Sequence, residues 1–103
     1  MDLERLREAI KFGRFEWRKH TLVRLAERNV SQDTILEVVM KGDIIEDYPQ
    51  NAPLSSCLML GWIEAKPYHV VVSFDETLET GYIITAYEPR LDKFEPDFRT
   101  RRR

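Results

Sequence analysis

The chain reads as an α+β domain with N-terminal helices packed on a three- or four-stranded antiparallel sheet. Three observations predict this. Apolar residues recur at helical spacing through the first 41 residues. From Asp43 onward the pattern changes to short apolar runs and strict alternation, as strands require. The links between those runs are short, which makes antiparallel neighbours.

Leu3, Leu6 and Ile10 mark one side of a short helix that Gly13 ends. A second helix is expected from about Trp17 to Arg28. Leu22, Val23, Leu25 and Ala26 form its apolar arc, and Trp17, His20, Arg24 and Arg28 form most of the other. Asn29 tolerates the left-handed conformation that closes a helix. Ser31 is then a good N-cap for a third helix striped by Ile35, Val38 and Val39 and stopped by Gly42.

Asp43 to Tyr48 is the first candidate strand, followed by a loop carrying Pro49, Asn51 and Pro53. Cys57 to Glu64 is apolar enough for a central strand, and Glu64-Ala65-Lys66-Pro67 turns the chain into Tyr68 to Phe74. There Tyr68, Val70, Val72 and Phe74 face one way, and His69, Val71 and Ser73 the other. A polar loop over residues 75–81 precedes a last strand, Tyr82 to Tyr87, which Pro89 stops. Residues 1–98 form the single domain, and 99–103 a basic C-terminal tail.

At 103 residues, 43% hydrophobic and 33% charged, the composition suits one globular domain. Cys57 to Ile63, the longest apolar run, is too short to span a bilayer. The mixed-charge start Met1-Asp2-Leu3-Glu4-Arg5 shows no secretory leader, and a single cysteine fits a reducing compartment, so cytoplasm is the expected location without membrane association. The net charge of −2 hides an asymmetry. Residues 1–41 hold nine Lys/Arg against seven Asp/Glu, residues 42–98 hold three against eleven, and the tail adds four arginines. Contact with a polyanion must therefore be local, on the helical half and the tail. The acidic half suits a basic protein partner instead.

Several chemistries are excluded. Neither histidine belongs to a zinc-type ligand set, so no metal is expected. Four scattered glycines make no phosphate loop, and no cofactor is expected. Cys57 reads as a buried structural thiol, and Ser55, Ser56 and Ser73 sit in no nucleophile elbow.

What remains is a metal-free set: His20, Arg24, Arg28, His69, Thr85 and Tyr87. The first three fall four residues apart, stacked on one helix face. Two guanidiniums can hold phosphate oxygens bidentately while the imidazole moves a proton. A solvated basic face is the competing explanation. Thr85 and Tyr87 share a strand face, and hairpin register decides whether His69 joins them. RNA cleavage without metal asks for a base at the ribose 2′-OH, cations for the phosphorane charge and an acid for the leaving 5′-oxygen, which this set could supply. Tyr87 could donate a proton or stack on a base. Trp17 could stack, and Arg18, Lys19 and Arg90 are further candidate RNA contacts.

The stretch Trp17-Arg18-Lys19-His20-Thr21-Leu22-Val23-Arg24-Leu25-Ala26-Glu27-Arg28-Asn29-Val30 resembles the His-Ala-x-x-Arg-x-x-x-Arg-x-Ile opening of a family of small, mostly bacterial toxin-like domains. Gly42-Asp43-Ile44-Ile45-Glu46-Asp47-Tyr48-Pro49 is similar to its Gly-x-Ile-Ile-Glu-x-Tyr-Pro segment. Pro67-Tyr68-His69-Val70-Val71 and Thr85-Ala86-Tyr87-Glu88-Pro89 resemble two later signatures, and Phe94 and Asp97-Phe98-Arg99 its ending. Thr21 stands where that family usually has Ala, and Phe94 where it often has Trp. Such domains resemble the RelE/ParE-type toxin superfamily. The resemblance implies a metal-independent ribonuclease, the toxin of a toxin–antitoxin pair, partnered by an antitoxin that in many cases is a small zinc-finger protein. It maps His20, Arg24 and Arg28 onto the helical positions, and His69, Thr85 and Tyr87 onto the sheet. The alternative is a non-enzymatic toxin or protein-binding adaptor acting through the basic helix and the acidic sheet half.

Overall fold

The computed structural model describes all residues 1–103. Three helices, α1 (Leu3–Lys11), α2 (Lys19–Glu27) and α3 (Gln32–Lys41), accompany five strands, β1 (Phe15–Trp17), β2 (Asp43–Tyr48), β3 (Ser55–Ile63), β4 (Lys66–Asp75) and β5 (Thr80–Tyr87). The strand order is β1-β5-β4-β3-β2. The α+β class holds, but the sheet is five-stranded and mixed rather than three- or four-stranded and antiparallel, because β1 pairs with β5 in parallel. A three-residue strand is too short for alternation to show in sequence. Trp17 accordingly belongs to β1, not to the second helix.

The helix signals act as their chemistry dictates. Asp2 and Ser31 cap α1 and α3, accepting from the N–H groups of Arg5 and Thr34. Gly13 and Asn29 both take positive φ, 77° and 57°. After α1, the N–H of Gly13 donates to Ile10 and that of Arg14 to Ala9; after α2, Asn29 donates to Ala26 and Val30 to Leu25. Both ends are Schellman closures, which satisfy carbonyls that would otherwise be orphaned. Arg7 then ties α1 to α3, donating to the carbonyls of Val39 at 2.9 Å and Gly42 at 2.6 Å.

Gly42 is a glycine for a different reason. Its φ of −79° is ordinary. A Cβ there would lie 2.5 Å from the Leu60 carbonyl oxygen and 2.6 Å from that of Val38. The helix end passes too close to β3 for any side chain.

Leu6, Ala9 and Ile10 from α1, Leu25 from α2, and Ile35, Val38 and Val39 from α3 are buried with Tyr68, Val70, Val72 and Phe74 of β4. The alternation expected for β4 is thus present, its even-numbered residues facing the helices. On α2 the apolar arc is narrower than expected. Only Thr21 and Leu25 are buried, whereas Val23 is 50% exposed and Ala26 lies at the surface. Thr21 goes inside because its hydroxyl donates to the Ile84 carbonyl at 2.7 Å.

The opposite sheet face carries a second, smaller core. Leu58, Leu60, His69 and Phe94 are buried yet stand outside the helical cluster. A C-terminal hairpin covers them: Glu95 donates to Thr100 and Arg102 to Lys93, closing a loop braced by Asp97. Phe94 meets the His69 ring edge-on at 4.5 Å, and Phe98 meets Trp62 at 5.8 Å. Arg101 clasps Glu46 of β2 at 2.6 and 3.0 Å, and Arg99 reaches Asp43 at 3.1 Å. The tail arginines divide accordingly: Arg99, Arg101 and Arg102 are ion-paired, and Arg103 has no partner.

Two predictions follow from the packing. Gly42→Ala should destabilise the fold by roughly 1–3 kcal/mol in a denaturant titration, since the new methyl meets two fixed carbonyls. An unchanged midpoint would contradict that. His69 supplies the second. Burial depresses its proton affinity, Arg101 adds to the effect, and the Phe98 carbonyl and Glu46 oppose it. As pH falls below the ordinary value of 6.5, the unfolded chain binds the proton first. Stability is therefore full above that value and lost as pH drops through the depressed folded value. Thermal melts should show Tm falling between about pH 7 and about pH 5. His69→Gln should flatten that stretch while leaving the carboxylate losses at lower pH.

Candidate functional site

The last half of β5 creates the site. Pairing with β1 ends at Trp17 opposite Ile83, so no strand covers β5 on that side beyond this point. Helix α2 takes the place of a strand. The Arg18 N–H donates to the Ile83 carbonyl at 3.1 Å, and the Thr21 hydroxyl bonds the next carbonyl, that of Ile84. The C-terminal hairpin forms the other wall. Between them lies a cleft of about 740 Å³.

Arg24 and Arg28 line one wall, and Thr85, Tyr87 and Glu88 the floor. Arg90, Lys93 and Arg101 line the hairpin side, with Phe94 and Tyr68 adding apolar surface. Five basic side chains thus face one carboxylate, in a chain whose net charge is −2. They are not equivalent. Arg101 is held by Glu46 and also lies over the Phe94 ring at 5.0 Å, and Arg90 pairs with Asp92 at 3.2 Å. Glu88 lies 4.0 Å from Lys66. Arg24, Arg28 and Lys93 make no ion pair and no side-chain hydrogen bond.

That unpaired state has a cost. Like charges one helical turn apart repel by a few tenths of a kcal/mol. Their place in the last turn and C-cap of α2 recovers a similar amount from the helix dipole. An anion between them would relieve the repulsion and use both guanidinium forks.

The expected site residues fall into three groups. Arg24, Arg28, Thr85 and Tyr87 meet in the cleft, joined by Arg90. The register settles the sheet question: His69 pairs with Tyr87, and Val71 with Thr85, so His69, Thr85 and Tyr87 share a face. His69 nonetheless lies beneath the cleft, fully buried, with Nε2 2.7 Å from the Phe98 carbonyl and Nδ1 3.4 Å from the Tyr87 hydroxyl. His20 is exposed on the outer face of α2, in a shallow groove with Lys19 and Val23 that shares Arg24 and Arg28 with the cleft.

Trp17 packs against the core, edge-on to Phe15 at 6.4 Å. Arg18 lines a separate groove on the open sheet face with Ser73 and Tyr82. Burial pushes the Tyr87 phenol above its ordinary range, and Arg101 partly offsets this. Cys57 is buried, and its thiol is pushed up to about 12.

Lys93, Arg101, Glu88 and Phe94 were not singled out as cleft residues from the sequence. Glu88 comes with the end of β5, and only the docking of the hairpin onto Glu46 and His69 brings the other three there. The one local signal is that Arg90, Lys93, Arg99 and Arg101 flank two aromatics, Phe94 and Phe98.

No three His, Cys, Asp or Glu side chains cluster closely enough to hold a metal ion. No helix is long and apolar enough to cross a membrane. No curated protein and no solved structure matches the chain. A family model described as Domain of unknown function (DUF4258) matches residues 17–88. That stretch contains Arg24, Arg28, Thr85 and Tyr87, together with β2 to β5, and leaves α1 and the C-terminal hairpin outside it. Because the match covers well over half of the sequence, the chain belongs to the DUF4258 family.

Proposed function

We propose that this protein is a metal-independent ribonuclease of RelE-like type, the toxin of a toxin–antitoxin pair, acting on single-stranded RNA in the cleft between α2, β5 and the C-terminal hairpin. The observation that carries the reading is the set of three unpaired cations, Arg24, Arg28 and Lys93, facing one cleft beside Thr85 and Tyr87. Unpaired guanidiniums converging on a concavity suit a phosphodiester, and neighbouring hydroxyls suit a ribose. The ordered motifs resembling toxin-like domains supply the reaction class.

In this reading Arg24 and Arg28 grip the non-bridging oxygens and stabilise the phosphorane, while Lys93 and Arg90 extend the phosphate track. Thr85 and Tyr87 contact the ribose whose 2′-oxygen attacks phosphorus. His20, beside the same two arginines on the outer face of α2, protonates the departing 5′-oxygen. Lys19 continues the basic surface. Trp17 has no stacking role, being packed on the core, and Arg18 contacts RNA only if the strand turns onto the open sheet face. An antitoxin protein would neutralise the toxin by covering the cleft.

The adaptor alternative has less to work with. Asp43, Glu46 and Asp47 of the acidic half are occupied by Arg99, Arg101 and the N-terminal ammonium.

Purified protein mixed with labelled single-stranded RNA and chelator should yield fragments ending in a 2′,3′-cyclic phosphate. Arg24→Ala and Arg28→Ala should each weaken binding and reduce the salt slope of log Kd by about one. Both should leave the melting temperature near wild type, since neither side chain has a partner to lose. His20→Ala should reduce cleavage by about 10²-fold with little change in binding. Full cleavage in His20→Ala would remove that residue from the mechanism. Absence of both binding and cleavage in the wild-type protein would remove the RNA reading.

A further inference from the structure

Tyr87 and His69 form a chain of contacts that ends on a main-chain carbonyl, and its direction can be read from hydrogen-bond rules alone. A carbonyl oxygen only accepts. The 2.7 Å contact between His69 Nε2 and the Phe98 oxygen therefore places a proton on Nε2. In the neutral ring Nδ1 is then a bare lone pair. The only group reaching it is the Tyr87 hydroxyl at 3.4 Å, so Tyr87 is the donor. That spacing is the loose geometry common in unliganded sites. With its proton turned inward, the phenol oxygen presents lone pairs to the cleft.

Burial keeps the ring neutral, so this polarity is its resting state. The charged and titratable groups facing it come from three elements: Tyr87 of β5, Glu46 of β2, and Arg101 of the C-terminal hairpin. Phe94 closes the fourth side, edge-on. A buried histidine with both nitrogens committed is an oriented one.

We propose that His69 is a positioning residue that fixes Tyr87 as a hydrogen-bond acceptor toward the cleft, so that Tyr87 recognises the ribose 2′-hydroxyl and relays its proton inward when that oxygen attacks. The proposal rests on the RNA reading above and deepens it by naming the group recognised. The 2′-O–H bond breaks as the 2′-O–P bond forms. Tyr87 Oη takes that proton and releases its own to His69 Nδ1, giving an imidazolium that still donates to the Phe98 carbonyl. The P–O5′ bond breaks, and the 5′-oxygen takes a proton from His20. The extra proton on His69 then returns through Tyr87 to water, and His20 regains one from water. Nothing is oxidised or reduced.

The substitutions separate the two roles. Asparagine at position 69 offers an amide oxygen near the place of Nδ1 but cannot take up a proton. Phenylalanine removes the acceptor and keeps the ring.

Three measurements on the full chain test this. Nitrogen NMR of the unliganded protein should show His69 neutral at pH 7 with hydrogen on Nε2 only. Hydrogen on Nδ1, or a charged ring, overturns the proposal whether or not RNA is cut. An RNA oligonucleotide should bind roughly three- to tenfold more tightly than its 2′-deoxy counterpart, the worth of one hydrogen bond. Tyr87→Phe and His69→Phe should erase that preference, and His69→Asn should keep it while cleavage falls about 10²-fold.

Equal RNA and DNA binding by the wild type, or a preference surviving in Tyr87→Phe, overturns the proposal and leaves the ribonuclease reading intact. Wild-type protein that binds neither strand overturns the ribonuclease reading, with the tautomer still deciding how Tyr87 is polarised. Should the His69 variants fail to fold, Tyr87→Phe and the tautomer remain decisive.

Discussion

The hydrogen bond from His69 to the Phe98 carbonyl, seated under Phe94, is the interaction on which the site depends. A β-sheet has two faces, and the helices cover only one. Leu58, Leu60 and His69 on the other would meet water but for the C-terminal hairpin. The hairpin has little regular structure of its own, a single bridge between Phe94 and Arg101. What seats it is aromatic packing on a buried imidazole, one short hydrogen bond, and the Arg101–Glu46 clasp. That clasp holds the Glu46 carboxyl below its usual range and raises the Arg101 guanidinium further. Exposed ion pairs contribute little on their own; here the half-buried Glu46 and the two-bond geometry strengthen the pair.

From that docking the cleft follows. Helix α2 and the free stretch of β5 would otherwise form an open ledge. The hairpin gives the ledge a second wall and adds Arg90, Lys93 and Arg101 to a surface that began with Arg24 and Arg28. The electrostatics then separate by neighbourhood. Arg99 and Arg101 anchor the hairpin to carboxylates of β2, Arg5 pairs with Glu79, and Arg7 ties α1 to α3 through carbonyls. Arg24, Arg28 and Lys93, which make no ion pair and no side-chain hydrogen bond, line the cleft.

Much of the fold was legible because local chemistry and global packing agree. Ser31, Gly13 and Asn29 sit where a cap and left-handed closures belong, and the alternation of β4 gave its two faces correctly. What was hidden had physical causes. β1 is too short for a period to register, and its parallel partner lies far along the chain. Thr21 turned inward because a carbonyl, not an apolar surface, awaited it, leaving Val23 outside. Ile44 and Glu46 flank one bulge, and a second interrupts the pairing of β4 with β5. Such shifts are invisible in composition.

The candidate site was legible in half. The spacing of Arg24 and Arg28 and that of Thr85 and Tyr87 each specified a face. That those faces meet depends on the α2–β5 hydrogen bonds. His69 is a polar residue beside the valine run of β4. Its place beneath the cleft depends on Phe94 and Phe98, some thirty residues on, which no local pattern connects to it.

The central claim is that an RNA strand occupies the space between α2, the end of β5 and the hairpin. The most direct measurement is an amide chemical-shift titration of the full chain with a non-cleavable 2′-O-methyl single-stranded oligonucleotide. The account predicts saturable shifts at Arg24, Arg28, Tyr87, Glu88 and Lys93, suppressed by salt, with α1 and β2 unmoved. Shifts centred on β2 or the α1 surface, or none at low salt, would contradict it.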